Sequence, residues 1–249
     1  MTKVFVHGNP ETDDVWQDLL DELRRREISD VVTLAPPGFG APTPAHWMGT
    51  RVDYSEWLVD ELKAIPGDID LVGHDWGAGH VFGALSVAPG LVRSWATDCA
   101  GLLHPEYVWH DAAQGWQTPD LGETMVAAIT GLEPDAFAAV MGPMGMRDEI
   151  ARKVSERLDA ETARCILSLY RSAAQPEMKR LGERFAAASP CNGLVIVAEN
   201  DHFAGTQQMH EDVARSVGAN VCHMAGVGHW WMIEDPVGAA DILTAHWAR

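Results

Sequence analysis

Residues Ile69 to Gly79 read IDLVGHDWGAG, in which a short apolar run leads into a glycine-flanked turn centred on Asp75 and then into a helical pattern. A strand that passes so abruptly into a helix exposes the central side chain of the turn at the end of a sheet, and the glycines relieve crowding on either side. An aspartate alkylated at a saturated carbon becomes an ester that water can cleave, whereas serine would become a stable ether. The stretch therefore predicts an α/β sheet that presents Asp75 as a nucleophile toward alkyl substrates such as epoxides or halides.

Strand-like and helical runs alternate along most of the chain. The strand-like runs are mostly short, apolar and rich in Val and Ile, as expected of strands covered on both faces. Such alternation predicts a doubly wound, mostly parallel sheet, here of about six strands. The predicted strands are Lys3 to His7, Val31 to Leu34, Ile69 to Val72, Leu91 to Asp98, Leu194 to Ala198 and Asn220 to Met224, and the predicted helices are Asp14 to Arg26, Arg51 to Ile65, Ala78 to Ala88, Thr206 to Val217 and Pro236 to Trp247.

The interval 104–188 breaks this alternation, because it contains helical stretches but no convincing strand. We interpret it as a helical lid inserted in a core that is formed by residues 1–103 and 189–249. Periodic apolar faces usually pack together, so most Met and Leu side chains of this interval are expected to be buried.

Composition restricts the classes of function. The 249 residues suffice for one sizeable domain, and a content of 47% hydrophobic and 22% charged residues is typical of a globular protein. The 36 acidic side chains against 18 basic ones give a formal charge of −18, which disfavours nucleic acid and anionic membranes as partners. A small, neutral, apolar substrate and water are the expected partners.

Cysteine usage and motifs predict a cytoplasmic enzyme without a cofactor. The four cysteines are scattered singly, as buried thiols of a reducing compartment would be, and no run has the length of a signal peptide or a membrane span. None of the 11 histidines pairs with a carboxylate at a metal-binding helix spacing. The run Gly77-Ala78-Gly79 lacks the length and the lysine of a phosphate-binding loop. We expect neither a metal nor another cofactor.

Four motifs occur in a fixed order along the chain. They are His7-Gly8-Asn9-Pro10, the Asp75 turn, Ala198-Glu199-Asn200-Asp201 after a late strand, and Gly226-Val227-Gly228-His229 after the last strand. Together they resemble the epoxide hydrolase and haloalkane dehalogenase branch of the α/β-hydrolase family, over nearly the whole chain. That family usually has two further strands before its His-Gly turn, so the sheet looks trimmed at its N-terminus. A sheet edge exposed in this way raises the expectation of a homodimer or a covering helix.

The resemblance implies a role for each motif. Asp75 would form an alkyl-enzyme ester, and His229, supported by Asp201, would activate the water that hydrolyses this ester. The backbone N–H groups of Asn9 and Trp76 would stabilise the tetrahedral intermediate.

Some assignments stay open at this point. Asp98, at the end of the strand after the nucleophile, is an alternative acid for His229, because some dehalogenases carry their acid there. His74 is expected to point away from the pocket and to serve in packing. Trp230 and Trp231 are expected either to line an apolar pocket or to pack at the base of the lid.

The leaving group distinguishes the two branches of the family. An opening epoxide needs an acidic hydroxyl, and Tyr170 resembles the second lid tyrosine of epoxide hydrolases. The stretch Trp116 to Pro119 resembles the sequence just after their first lid tyrosine, but the tyrosine position itself is Ala112. Either Tyr107 or His110 would have to compensate, or Tyr170 would act alone.

A departing halide instead needs neutral N–H donors, and Asn9 and Trp76 resemble the pair that haloalkane dehalogenases use. We predict hydrolysis of an epoxide to a vicinal diol, with dehalogenation to an alcohol and a halide as the alternative. A non-catalytic, ligand-binding protein of the same fold is a second alternative, because fold alone does not fix function. The presence of nucleophile, acid and base together argues against that alternative.

Overall fold

The computed structural model describes all residues, 1–249, and contains six strands and twelve α-helices. The strands are β1 (Thr2–Val6), β2 (Val31–Leu34), β3 (Ile69–Gly73), β4 (Ser94–Thr97), β5 (Gly193–Ala198) and β6 (Asn220–Met224). The helices are α1 (Gln17–Arg25), α2 (Arg51–Ala64), α3 (Trp76–Val87), α4 (Asp111–Gln117), α5 (Leu121–Thr130), α6 (Pro134–Met141), α7 (Asp148–Ser155), α8 (Ala160–Ser172), α9 (Glu177–Ala188), α10 (Gln207–Val217), α11 (Trp231–Glu234) and α12 (Pro236–Trp247).

The six strands form one parallel sheet in the order β2-β1-β3-β4-β5-β6. Successive side chains of a strand face opposite sides of a sheet, and both sides are covered here. In β5, Val195 belongs to a core that includes residues of α3 and α10, whereas its neighbour Ile196 belongs to a core that includes residues of α1 and α12. The prediction of a doubly wound α/β fold is confirmed.

Strand β4 is shorter than predicted. Pro89 and Gly90 hold residues Pro89–Leu91 in a 3-10 turn, so the strand covers Ser94–Thr97 rather than Leu91 to Asp98. Because all strands run in the same direction, the segments that follow their carboxyl ends meet at one edge of the sheet, where open α/β folds bind ligands. The four predicted motifs follow β1, β3, β5 and β6 and are brought together there.

Six helices, α4 to α9, lie between β4 and β5 in the chain, where the sequence predicted helices and no strand. Helices α4 and α5 both pack against α8, and α6 packs against α7. Their buried side chains include Val126, Phe137, Ile150 and Ile166. The division into a core and a lid at residues 104 and 188 stays a prediction.

The sheet has two edge strands, β2 and β6. All four residues of β2 are only half-buried, and the homodimer predicted from such an edge stays a prediction. The prediction that the cysteines are buried is correct for Cys99 and Cys165 and wrong for the other two. Cys222 lies half-buried in the edge strand β6, and Cys191 is exposed just before β5.

No helix taken singly combines the length and the apolar composition that crossing a membrane requires. The neighbouring segments Leu121–Thr130 and Pro134–Met144 meet those limits only as a pair, and the pair is bent by 110°.

Candidate active site

Asp75 occupies the turn between β3 and α3 with backbone angles φ 51° and ψ −121°. A positive φ is costly for a residue with a side chain and is found where the surrounding structure enforces it, often at functional sites. Strand β1 approaches this turn closely, since a Cβ on Gly77 would lie 2.1 Å from the carbonyl oxygen of Val6. Gly77, two residues after Asp75, thus lets the turn pack directly on β1.

The turn after β1 lies against the carboxylate of Asp75. The backbone N–H of Asn9 donates a 2.9 Å hydrogen bond to Oδ1 of Asp75, and a Cβ on Gly8 would lie only 2.0 Å from the same oxygen. The N–H of Trp76 opens helix α3, where the first turn has no partner within the helix. The N–H of Asn9 and the positive end of the α3 dipole therefore favour negative charge at Asp75.

His229 connects Asp75 to Asp201. Its Nε2 lies 3.7 Å from Oδ2 of Asp75, and its Nδ1 hydrogen-bonds to Oδ2 of Asp201 at 2.8 Å. Asp201 also accepts the N–H of Phe203, which fixes its carboxylate. The structure thus brings together the three residues that the sequence predicted as nucleophile, base and acid.

The charges of these three groups depend on one another. Burial lowers the pKa of His229, but the neighbouring Asp201 outweighs this effect and raises the value to about 9. Burial raises the pKa of Asp75 to about 6, although the positive charge of His229 acts in the opposite direction. The pKa of Asp201 is lowered despite its burial, because His229 stabilises the carboxylate. At neutral pH the site therefore holds two carboxylates around an imidazolium.

Asp98 is not the acid of His229, and His74 does more than pack. The side chain of His74 does turn away from the cavity, but it hydrogen-bonds through Nδ1 to Oδ2 of Asp98 and through Nε2 to Oε1 of Glu11, the latter at 3.1 Å. Oδ1 of Asp98 accepts the N–H of Asp75 at 3.0 Å. The alternative of Asp98 as partner of His229 is therefore wrong, because His74 occupies that carboxylate.

Glu11 was missed by the sequence reasoning. It is fully buried, accepts the N–H of Gly8 at 3.3 Å and accepts the indole N–H of Trp230 at 2.6 Å. No signal in the sequence marks it, because it lies in the polar stretch Gly8 to Asp14, where an acidic side chain is ordinarily exposed. Nothing in the sequence shows its buried partners.

A cavity of about 150 Å³ opens above Asp75. It is mostly apolar and is lined by Asn9, Pro10, Asp75, His110, Ala112, Trp116, Ile129, Val140, Met141, Met144, Tyr170, Phe203, His229 and Trp230. Of the tryptophan pair after His229, only Trp230 lines the cavity. Trp231 is buried and donates its indole N–H to Asp98 at 2.7 Å.

Tyr170 reaches the cavity, and the two candidates for a second acidic group differ in position. Tyr107 donates its hydroxyl to the carbonyl of Phe203 at 2.7 Å and does not line the cavity. His110 does line it, and its Nδ1 accepts the N–H of Ala113. An imidazole that accepts through Nδ1 carries its proton on Nε2, so His110 can donate there.

Tyr170 is surrounded by indoles, with ring centres 4.7 Å from Trp116, 5.3 Å from Trp76 and 5.4 Å from Trp109. Burial raises the pKa of its hydroxyl well above the usual value, whereas hydrogen bonding by the Trp76 side chain acts to lower it. The rings of Trp76 and Tyr170 meet edge to face, with an interplanar angle of 81°. The side-chain amide of Asn9 is buried, and neither of its polar atoms has a partner within the protein.

Two sets of three side chains bring possible metal-binding atoms within 4.8 Å of one another. They are Glu11, His74 and His229, and Cys99, Asp201 and His229. In the first set both nitrogens of His74 are already hydrogen-bonded to carboxylates, and in the second Nδ1 of His229 is bonded to Asp201. A ring nitrogen that donates its N–H to a carboxylate has no lone pair to offer a metal ion.

The family assignment rests on nearly the entire sequence. Residues 4–242 match the model of the alpha/beta hydrolase family, and the chain belongs to this family. No curated protein sequence matches the chain.

Solved structures show where the fold recurs. The chain is similar to a mutant of haloalkane dehalogenase DatA from Agrobacterium tumefaciens, with a TM-score of 0.77, 19% identity and coverage of 100% of this chain and 90% of that one. It is similar to an E-2-(acetamidomethylene)succinate hydrolase, with a TM-score of 0.76, 17% identity and coverage of 100% and 91%. A loop variant of haloalkane dehalogenase DbeA from Bradyrhizobium elkanii gives a TM-score of 0.72 at 19% identity, with coverage of 99% and 90%. At these identities the likeness shows the fold, and together with the family it supports a hydrolase.

Proposed function

We propose that the protein hydrolyses a small epoxide to a vicinal diol through an ester on Asp75. One observation carries the proposal. The carboxylate of Asp75 lies between the N–H of Asn9 and Nε2 of His229, at the floor of an apolar cavity that also contains the phenol of Tyr170. Asp75 is the nucleophile that forms the ester, Tyr170 is the acid that opens the epoxide, and His229 is the base that cleaves the ester.

The two oxygens of Asp75 have different surroundings. Oδ1 is held by Asn9, whereas Oδ2 faces His229, so Oδ2 is the oxygen that attacks the epoxide carbon. The C–O bond of the epoxide breaks as the new ester bond forms. The departing oxygen takes the hydroxyl proton of Tyr170, and the nearby Trp76 stabilises the phenolate that remains. His110 is a second donor to the same oxygen.

Water then cleaves the ester. Once Asp75 is esterified its negative charge is gone, so the pKa of His229 falls below about 9 and the ring becomes a better base. His229 loses its Nε2 proton to solvent and then, as a neutral imidazole, takes a proton from water. The hydroxide attacks the carboxyl carbon, and the N–H groups of Asn9 and Trp76 bind the oxyanion at Oδ1. When the intermediate collapses, His229 returns its proton to the diol, and the proton of the new Asp75 carboxylic acid restores Tyr170.

The cavity restricts the substrate. Its volume of about 150 Å³ is well below the roughly 300–1,000 Å³ of pockets that hold drug-sized ligands. Its lining between Ile129 and Met144 is aliphatic. We therefore propose a short, neutral, apolar epoxide as the substrate.

The second candidate is dehalogenation of a short haloalkane, and the observation that favours it is the amide of Asn9. Its Nδ2 and Oδ1 are buried beside Asp75 without partners, which is costly unless a ligand provides one. A departing halide would accept a hydrogen bond from Nδ2 of Asn9, with the indole N–H of Trp76 as the second donor. Both candidates share the ester on Asp75 and differ in which group receives the leaving atom.

The test uses two substrates with the same carbon chain. The variant His229→Gln is incubated with 1,2-epoxybutane and, separately, with 1-bromobutane. The mass of the intact protein is measured, and peptide mapping then shows whether an adduct lies on Asp75. We expect the epoxide to add its full mass at Asp75. A butyl adduct from the bromide, with no adduct from the epoxide, would choose dehalogenation.

Matched variants identify the leaving-group donor. Tyr170→Phe should slow alkylation by the epoxide by about 10²-fold or more, as loss of a general acid does. Tyr107→Phe removes a phenol that lies outside the cavity and should keep the rate within about threefold of wild type. If neither compound modifies Asp75 and Asp75→Ala keeps full activity toward any epoxide or haloalkane, the ester mechanism is wrong for this protein.

A further inference from the structure

Beneath the proposed catalytic groups lies a second chain of charges, Glu11-His74-Asp98, which the proposed reaction does not use. All three residues are essentially buried. They come from three different segments, the turn after β1, the Asp75 turn and the end of β4. Side chains from separate segments that meet in the interior can fix those segments relative to one another.

Glu11 and Asp98 each accept a hydrogen bond from the backbone of a catalytic turn. Glu11 accepts the N–H of Gly8, next to the oxyanion donor Asn9, and Asp98 accepts the N–H of Asp75 itself. A displacement of either turn would move a reacting group, and misplacement of about 1 Å can cost about 10²-fold in rate.

Each carboxylate also accepts an indole from the segment after His229. Trp230 donates to Glu11 at 2.6 Å, and Trp231 donates to Asp98 at 2.7 Å. The ring of His74 lies 4.7 Å from that of His229, centre to centre. The same two carboxylates therefore contact all three catalytic turns.

The hydrogen bonds determine the charge of His74. Nδ1 faces Asp98 and Nε2 faces Glu11, and a neutral imidazole could donate to only one of them. Each carboxylate accepts two further N–H groups, one from the backbone and one from an indole, and this favours its ionised form. Both nitrogens of His74 must then carry protons.

We propose that Glu11, imidazolium His74 and Asp98 form a positioning unit, which holds the turns of Asn9, Asp75 and His229 in their catalytic arrangement. His74 neutralises one of the two buried carboxylates, and without it the pair would repel each other.

The electrostatics agree with this geometry. Although burial alone would lower it, the pKa of His74 is raised well above the usual value by Glu11 and Asp98. The positive charge of His74 lowers the pKa of both Asp75 and His229. Both effects favour the reaction, because Asp75 attacks as a carboxylate and His229 acts as a neutral base. The ionisable groups that face His74 are Glu11, Asp98, Asp75, His229, His7 and Asp201.

The first experiment measures the protonation of His74 in the wild-type protein, so it does not depend on a variant that folds. Side-chain ¹⁵N NMR of histidine-labelled protein should show two protonated ring nitrogens for His74 across the neutral range and into alkaline pH, and His74→Gln assigns the signals. His246 is the internal control, since it is buried but bonds only to the carbonyl of Trp95, and burial lowers its pKa. An unprotonated nitrogen on His74 at neutral pH would overturn the proposal.

The second experiment measures positioning. Asp98→Asn should slow formation of the Asp75 ester, and Glu11→Gln should slow its hydrolysis, because an amide offers one acceptor oxygen where the carboxylate uses two. We expect single-turnover losses of about 10- to 100-fold in each case, as for other groups that orient catalytic residues, with the concentration for half-saturation little changed.

The matched control is Asp70→Asn. Asp70 is also buried and charge-paired, but its partners Lys3 and Arg93 lie at the opposite end of β3. It should lower the melting temperature and leave both single-turnover rates within about threefold. If Asp98→Asn and Glu11→Gln behave like this control, the unit is only structural and the proposal fails. The kinetic experiment rests on the proposed function, because it measures the Asp75 ester, whereas the NMR experiment needs no substrate. Failure of the positioning unit can therefore be distinguished from failure of the proposed function.

Discussion

The backbone N–H of Asn9 donates a 2.9 Å hydrogen bond to Oδ1 of Asp75. This bond ties the turn after β1 to the turn after β3. It also makes the two oxygens of one carboxylate inequivalent, because the other oxygen faces His229. The oxygen that Asn9 holds is the one that would become the oxyanion when water attacks the ester, so the donor is in place before the reaction begins.

This contact requires a glycine at position 8. A Cβ in Gly8→Ala would lie 2.0 Å from Oδ1 of Asp75, so either the turn or the carboxylate has to move. We expect turnover to fall by about 10²–10³-fold, the usual cost of a lost oxyanion donor, with the fold retained. Gly90→Ala is the control, since a Cβ there meets nothing within 4 Å. Equal activity of the two variants would show that the contact is unimportant.

Loss of the acid should block the second half of the reaction. Asp201→Asn removes the charge that raises the pKa of His229 and weakens the hold on its Nδ1 proton. We expect turnover to fall by roughly 10²–10⁴-fold, with the Asp75 ester accumulating and detectable by intact mass after an acid quench. Asp68→Asn, at an exposed position, should behave as wild type. A variant that turns over slowly without accumulating ester would contradict the role given to Asp201.

The rate of ester formation should depend on pH through Asp75. Its pKa is raised to about 6 chiefly by burial, and only the carboxylate attacks, so the single-turnover rate should rise with pH around a midpoint near 6. In His229→Gln the midpoint should move upward, because the positive charge of His229 lowers the pKa of Asp75. Rapid-quench measurements between acidic and neutral pH test both statements, and a midpoint that stays in place or moves downward would contradict them.

Enlarging the cavity should change chain-length preference. Met144→Ala removes a side chain that lines the aliphatic part of the cavity. Each further buried methylene contributes about 0.8 kcal/mol, so kcat/KM for a substrate two carbons longer should rise by up to about 15-fold relative to a four-carbon one. Met48→Ala, at a surface position that is 65% exposed, should leave the ratio unchanged. The same ratio in both variants would exclude this wall of the cavity as a size limit.

Much of the candidate site could be predicted because each residue has a local signature. The glycines on either side of Asp75 indicate a strained turn, and the Gly-x-Gly-His run after the last strand predicts that His229 is the base. In the structure His229 lies within ion-pair distance of Asp75 and within hydrogen-bonding distance of Asp201. Glu11 has no such signature, because its role depends on His74 and Trp230, which come from two other segments.

The two candidate acids show the same limit. Asp98 and Asp201 both follow strands of the sheet, so the pattern alone left both open as partners of His229. The tertiary structure distinguishes them, since Asp98 is bonded to His74 and to the N–H of Asp75. Likewise, Tyr107 and His110 are three residues apart in sequence, and only His110 lines the cavity.

The sequence by itself determined the parallel sheet and the identity of the proposed nucleophile and base, because apolar strand patterns and glycine-flanked turns act over a few neighbouring residues. Only the tertiary structure decided which carboxylate faces which histidine, which oxygen of Asp75 is free to attack, and that Glu11, His74 and Asp98 join the three turns. These relationships depend on distances between segments far apart in the chain, and such distances are set by how the helices pack on the two faces of the sheet.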